Sequence, residues 1–169
     1  QTAGRGRMGR VWQSQPGDSL TFSIGLALRP KDWSGLSLAV GLSLAESLHP
    51  AIGLKWPNDL WWQDRKLAGI LIETANWSTA GAGQRYAVIG VGINIQTPST
   101  PGLSMPAVGW ADIQAATSPK CLLSQLAMPL LDTIQTFEQT GFEPWQAAFA
   151  QRDVLHGQSL RLSNGVEGV

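Results

Sequence analysis

Apolar residues occupy alternate positions over residues 20–28. Leu20, Phe22, Ile24, Leu26 and Leu28 share one face, with Thr21, Ser23, Gly25 and Ala27 on the other. A period of two predicts a strand, and its small second face leaves room for a helix or a ligand. From Ser34 the period lengthens. Leu36, Val40, Leu44 and Leu48 recur four apart and Pro50 follows, which predicts a helix to about residue 48 with Ser34 as its N-cap. Glu46 lies off that stripe and reads as a solvated charge. Alternation returns at Ile52, Leu54 and Trp56 until Pro57 removes a ladder donor. The turn formers Asn58-Asp59 and Gln63-Asp64 lead into apolar runs at residues 67–74 and 86–95. These read as two strands joined by a Gly/Ser/Ala-rich hairpin turn at residues 76–84. Three prolines make residues 97–108 a loop. Ser118-Pro119 opens a helix, with Leu122, Leu123, Leu126, Leu130, Ile134 and Phe137 as its stripe and Met128-Pro129 as an expected kink or interruption. Residues 142–151 read as a second helix with Pro144 at N1 and Trp145, Ala148 and Phe149 inward. A strand at residues 159–162 and a tight Asn164-Gly165 turn close the chain.

Composition narrows the picture. Lys and Arg number 12 against 12 Asp and Glu, so net charge gives no indication of nucleic acid or an anionic membrane. Charged residues make up only 14% of the chain, which suggests extensive contact surface or cavity lining. One cysteine, Cys121, excludes an internal disulfide and a multi-cysteine metal site; within an apolar helical run it reads as core. His49 and His156 have no metal-ligand partner at useful spacing. No apolar run reaches the length of a membrane span and no signal peptide is visible, so cytoplasm is the expected location. Gln1 is not an initiator Met and Val169 falls inside a strand-like run, so both ends read as cut.

Two strings carry candidate chemistry. Gln1-Thr2-Ala3-Gly4-Arg5-Gly6-Arg7-Met8-Gly9-Arg10, followed by Val11-Trp12, is poor in helix and strand formers. Its clustered guanidiniums and backbone N–H groups suit phosphate or carboxylate oxygens. The second string runs Lys55-Trp56-Pro57-Asn58-Asp59-Leu60 and resumes at Arg65-Lys66-Leu67-Ala68-Gly69-Ile70-Leu71; five charged residues fall between Lys55 and Lys66. Taken alone, the first is also a basic loop and the second a solvated hairpin. Together and in this order they closely resemble the adenylate-binding loop and the signature of biotin protein ligases. Gly90-Val91-Gly92-Ile93-Asn94 and Gly109-Trp110 match two further segments of that family.

The resemblance spans residue 1 to about residue 152. It implies an α+β fold with a mainly antiparallel mixed sheet backed by helices, as in class II aminoacyl-tRNA synthetases. Residues 1–154 would be the catalytic domain, lacking its N-terminal part, and residues 155–169 the beginning of an SH3-like C-terminal barrel. Relatives carry an upstream Ser/Thr-rich, Asn-containing motif that binds the biotin rings; it is absent here, as is any helix-turn-helix. The implied reaction joins biotin and ATP, with Mg²⁺, into biotinyl-5′-AMP and passes the biotinyl group to a lysine of a biotin carboxyl carrier protein domain. By the same resemblance Lys66, Arg5 and Asp59 are catalytic, and Asp59 is also a possible Mg²⁺ ligand. Gln1, Gly4, Arg5, Arg7, Lys66, Gly69, Leu71, Gly90 and Gly92 would bind biotin, with Trp12 covering the channel. Arg7, Arg10, Lys55, Asn58, Asp59, Asn94 and Trp110 would face the nucleotide, Trp110 by stacking on adenine. Met8 takes a slot where some relatives have a basic residue. A homodimer is compatible with this family. Two rival readings are a lipoate or octanoate ligase of the same fold and a non-catalytic module that binds biotin, its adenylate or a partner protein.

Overall fold

A computed structural model describes residues 4–9, 12, 15–76, 84–99, 105–114, 118–161 and 165–168. Five strands, β1 (Ser19–Leu28), β2 (Gly53–Lys55), β3 (Asp59–Trp62), β4 (Arg65–Asn76) and β5 (Arg85–Asn94), form one antiparallel sheet in the order β1-β5-β4-β3-β2. The expected α+β class is what the chain adopts. One element was hidden in the sequence: the two polar turns enclose β3, so residues 53–76 form a three-strand meander rather than a single hairpin. Only four residues long, β3 gave no periodic signal apart from its neighbours.

Register divides the sheet into two unlike faces. Directly opposed residues of an antiparallel pair share a face. Leu54, Leu60, Ala68, Ile93 and Leu20 are opposed in sequence across all five strands, and all are buried. Against this face pack α1 (Leu36–Leu48) and α2 (Pro119–Thr140). The predicted stripes supply the contact: Leu36, Val40, Leu44 and Leu48 from α1, and Leu122, Leu126, Leu130, Ile134 and Phe137 from α2, are buried, while Leu123 is half-buried. Ser118 caps α2 as expected, its hydroxyl accepting from Cys121 N at 3.2 Å. The expected break at Met128-Pro129 does not occur; α2 runs through Pro129. Cys121 lies off the stripe and is exposed, so it is not core.

The N-cap of α1 is also a correction. Gly35, not Ser34, holds that position, with φ 87° and no side-chain cap. Ser34 N instead donates to Asp32 Oδ1 at 2.8 Å, and this bond holds the exposed Asp32 carboxyl below its ordinary value. At Gly35 a Cβ would stand 2.6 Å from Phe142 Cβ and Cγ, so the left-handed turn and the close approach both require glycine. Phe142 leads into a 3-10 turn (Glu143–Trp145) and α3 (Gln146–Ala150), a shorter helix than predicted. Trp145, Ala148 and Phe149 do pack inward. Beyond α3 the chain seals the β2 edge: Leu54 N donates to Arg152 O, and Val154 N to Leu54 O. β6 (Leu160–Arg161) and β7 (Glu167–Gly168) form a separate two-stranded antiparallel sheet. Asn164 of its expected turn, most of the expected turn between β4 and β5, and residues 100–104 of the proline-rich loop lie outside the described residues. Among the described residues no helix is long and apolar enough to cross a membrane.

Two substitutions test this packing. Gly35→Ala should destabilise the fold by about 2–5 kcal/mol, combining left-handed strain with overpacking on Phe142. Trp110, only 2% exposed within the core cluster, should on truncation to Ala cost about 3–5 kcal/mol. Denaturant titration reads both; unchanged midpoints would refute the packing described.

Candidate active site

The second face of the sheet lacks side-chain bulk at its centre, where Gly69 and Gly92 pair. Lys55, Asp59, Gly69, Gly92 and Thr21 are opposed in sequence across it, and beside them lie Leu71, Gly90 and Ser23. Four of the biotin-contact candidates, Gly69, Leu71, Gly90 and Gly92, therefore form one patch on two paired strands. Where β-branched residues would usually stand, Gly69 and Gly92 leave a trough, and Trp12 lies in it. A Cβ on Gly92 would be 2.8 Å from the Trp12 ring, and one on Gly69 would be 3.3 Å from both that ring and Lys66 Nζ. The expectation that Trp12 covers this channel agrees with its position. Trp12 Nε1 is buried and has no hydrogen-bond partner among the described residues.

At one end of the trough Lys66 Nζ donates to Asp59 Oδ1 at 2.7 Å. Their side chains are 23% and 13% exposed, so the pair sits in a partly desolvated pocket where its field is stronger than on an open surface. Lys66 reaches Asp59 because the β3–β4 register slips: Leu60 opposes Ala68 but Trp61 opposes Lys66, leaving Leu67 as the extra residue of a bulge. Bulges re-aim side chains in this way. Nothing in the apolar pattern announced it.

One bond closes the described part of the Gly/Arg loop on itself and two side-chain bonds tie it to the rest. Trp12 N donates to Gly4 O at 2.9 Å, Arg7 Nη1 to Asn58 Oδ1 at 3.2 Å, and Arg5 Nη2 to Glu73 Oε2 at 3.4 Å. Asn58 is itself fixed, its Nδ2 donating to Ile70 O at 2.9 Å and its carbonyl accepting from Ile70 N at the same length. Arg7 and Asn58 are thus brought together beside Asp59. Arg5 is not: Glu73 lies four residues along β4 from Gly69, about 13 Å away along the strand. Gln1 and Arg10 lie outside the described residues.

The remaining candidates divide. Lys55 Nζ stands 3.9 Å from the centre of the Trp61 ring, a cation–π contact that the sequence reading missed. Asn94 is buried, its Nδ2 donating to Lys66 O and Val108 O at 3.3 Å each. Trp110 lies deeper than its string announced, at 2% exposed. Its ring is packed within the core cluster; the Gly-Trp string was legible, but the depth of the indole was not. No cluster of three or more metal-ligating side chains occurs among the described residues. A Mg²⁺ ion here would therefore depend on substrate phosphates, with Asp59 as an adjacent carboxylate; Mg²⁺ characteristically binds in that manner.

Comparison with known proteins agrees with this geometry. Residues 1–94 match the model of the biotin/lipoate A/B protein ligase family. The bifunctional ligase/repressor BirA of Escherichia coli is 37% identical over 98% of this chain and 53% of its own length. A biotin--[acetyl-CoA-carboxylase] ligase of Paracoccus denitrificans is 29% identical over 98% of this chain and 72% of its own. Among solved structures, the Aquifex aeolicus biotin protein ligase in complex with biotin and ATP superposes with a TM-score of 0.79 at 27% identity, covering 97% of this chain and 71% of that one. The chain spans about half the length of the BirA proteins it matches from end to end. With its motifs in register on one sheet face, the chain belongs to the biotin/lipoate A/B protein ligase family and is similar throughout to biotin protein ligase catalytic domains.

Proposed function

We propose that this domain activates biotin with ATP as biotinyl-5′-AMP and transfers the biotinyl group to a lysine of a biotin carboxyl carrier domain. The observation that carries the reading is the glycine trough, in which the Trp12 ring is seated, ending at the Lys66–Asp59 pair. A slender acyl chain fits a floor without side chains. Its carboxylate would arrive where Lys66 supplies the positive charge. Trp12 Nε1, lacking an acceptor, would gain one from a ligand oxygen.

The carboxylate and the α-phosphate of ATP repel each other until a cation stands between them. Lys66, a compact ammonium on a flexible stem, can turn from Asp59 to the two oxygens as the new O–P bond forms and pyrophosphate leaves. Arg7 and Asn58 stand next to this point and would hold phosphate and nucleotide oxygens, with Lys55 and Arg10 toward the same ligand. Arg5 would leave Glu73 for the anion; that exposed pair is weak enough to exchange. Gln1 and Gly4, from the same string, would add biotin contacts. Asp59, released from Lys66, could take the proton of the incoming lysine or lie beside Mg²⁺ carried by the phosphates. Closing Trp12 over the trough keeps water from the anhydride. Residues 155–169 would begin the C-terminal barrel, and an ATP-fed reaction on a carrier protein belongs in the cytoplasm.

The family name also covers lipoate, and a specific outcome separates the two substrates. Incubation with ATP and either biotin or lipoate, followed by mass spectrometry, should give biotinyl-5′-AMP alone; a lipoyl adenylate alone, or no adenylate, would overturn the reading. Lys66→Ala should slow single-turnover adenylation by about two to three orders of magnitude, and Lys66→Arg should restore only part of the rate. An unchanged rate in Lys66→Ala would remove this lysine from the reaction.

A further inference from the structure

Asn94 ends β5 and is 5% exposed, so its amide must find partners inside the protein. Both of its contacts are main-chain carbonyls, Lys66 O and Val108 O, each at 3.3 Å. Carbonyls only accept, so the NH₂ group faces them. The peptide units flanking Lys66 Cα are gripped twice more. Lys66 N donates to Pro106 O at 2.9 Å and Val108 N donates to Lys66 O at 3.0 Å, making Lys66 and Ala107 a parallel bridge. These bonds fall at the Leu67 bulge, where the β3–β4 ladder is interrupted and no longer fixes the strand by itself.

We infer that Asn94 is a positioning residue for Lys66: it ties the start of β4, the end of β5 and residues 105–108 together, and so sets where the Lys66 ammonium can reach. This rests on the proposed role of Lys66. A flexible stem of four methylenes cannot correct a misplaced Cα without losing its bond geometry at the far end. A shift of about 1 Å in a catalytic group is enough to cost about a hundredfold in rate. A residue that touched the nucleotide directly would instead act whether or not Lys66 were present. Because both of its N–H groups are engaged by carbonyls, the Asn94 amide serves the tie first.

The test is a double-mutant cycle read by single-turnover adenylation with biotin and ATP, together with amide hydrogen exchange at Lys66 and Val108. Asn94→Ala should lower the rate at saturating ATP about a hundredfold, with the ATP concentration for half-maximal rate changing less than about twofold. In the Lys66→Ala background the same substitution should have no further effect. Exchange at both amides should accelerate. Equal losses in both backgrounds, or unchanged protection of the two amides, would overturn the inference. If Asn94→Ala does not fold, Asn94→Ser keeps one donor and should show a smaller loss of the same kind; wild-type behaviour in it would count against the tie. If the wild-type protein makes no adenylate, the proposed reaction fails, and the exchange result alone decides whether the tie exists.

Discussion

A sheet packed with apolar side chains on one face and opened by paired glycines at the centre of the other leaves that centre to be covered by a ligand or a loop. That asymmetry is the constraint on which this structure depends. Gly69 and Gly92 oppose each other at its centre, and any Cβ there would intrude on the Trp12 ring or the Lys66 ammonium. The opposite face, from Leu20 through Ile93, Ala68, Leu60 and Leu54, carries the full hydrophobic load against α1 and α2. Stability and binding are thereby assigned to different sides of the same strands. A scaffold packed on one side only can keep the other side open and still hold its geometry.

The polar groups follow from that division. With no bulk over the trough, a lysine re-aimed by a bulge can lie along its floor and meet Asp59 at 2.7 Å. The Gly/Arg loop supplies the missing roof, and its anchors, Arg7 on Asn58 and Arg5 on Glu73, are single side-chain bonds rather than a packed interface. Such bonds contribute little individually and are readily exchanged for an anion. Positive charge is thus held on weak partners, Arg7 beside Asp59 and Arg5 further along β4, while the residues beneath are fixed by backbone ladders.

How much of this was legible varied with the kind of signal. The helix stripes of α1 and α2 and the alternation of β1 read directly from spacing, because each periodicity reports a buried face. The Ser118 cap read from a local rule. Gly35 was passed over for Ser34 because capping preference says nothing of Phe142, more than a hundred residues away. β3 and the Leu67 bulge were invisible, since a four-residue strand and a one-residue slip leave no periodic trace. The motif strings converge on one face of the sheet at Gly69, Gly92, Lys66 and Asp59, with Asn58 beside it. They did not reveal how deeply Trp110 is packed, because a Gly-Trp string marks a place along the chain and not a depth. Lys55 over Trp61 and Asn94 across to Lys66 and Val108 needed the tertiary structure.

The central claim is that the side-chain-poor face is where the acyl adenylate lies. A crystal structure with a biotinyl-5′-AMP analogue whose acyl-phosphate link cannot be cleaved tests it most directly. The account predicts the acyl chain along Gly69 and Gly92 beneath Trp12, with Lys66 Nζ moved from Asp59 to about 3 Å from the linkage oxygens. An analogue bound elsewhere, with Lys66 still paired to Asp59 and Trp12 still seated on the two glycines, would contradict it.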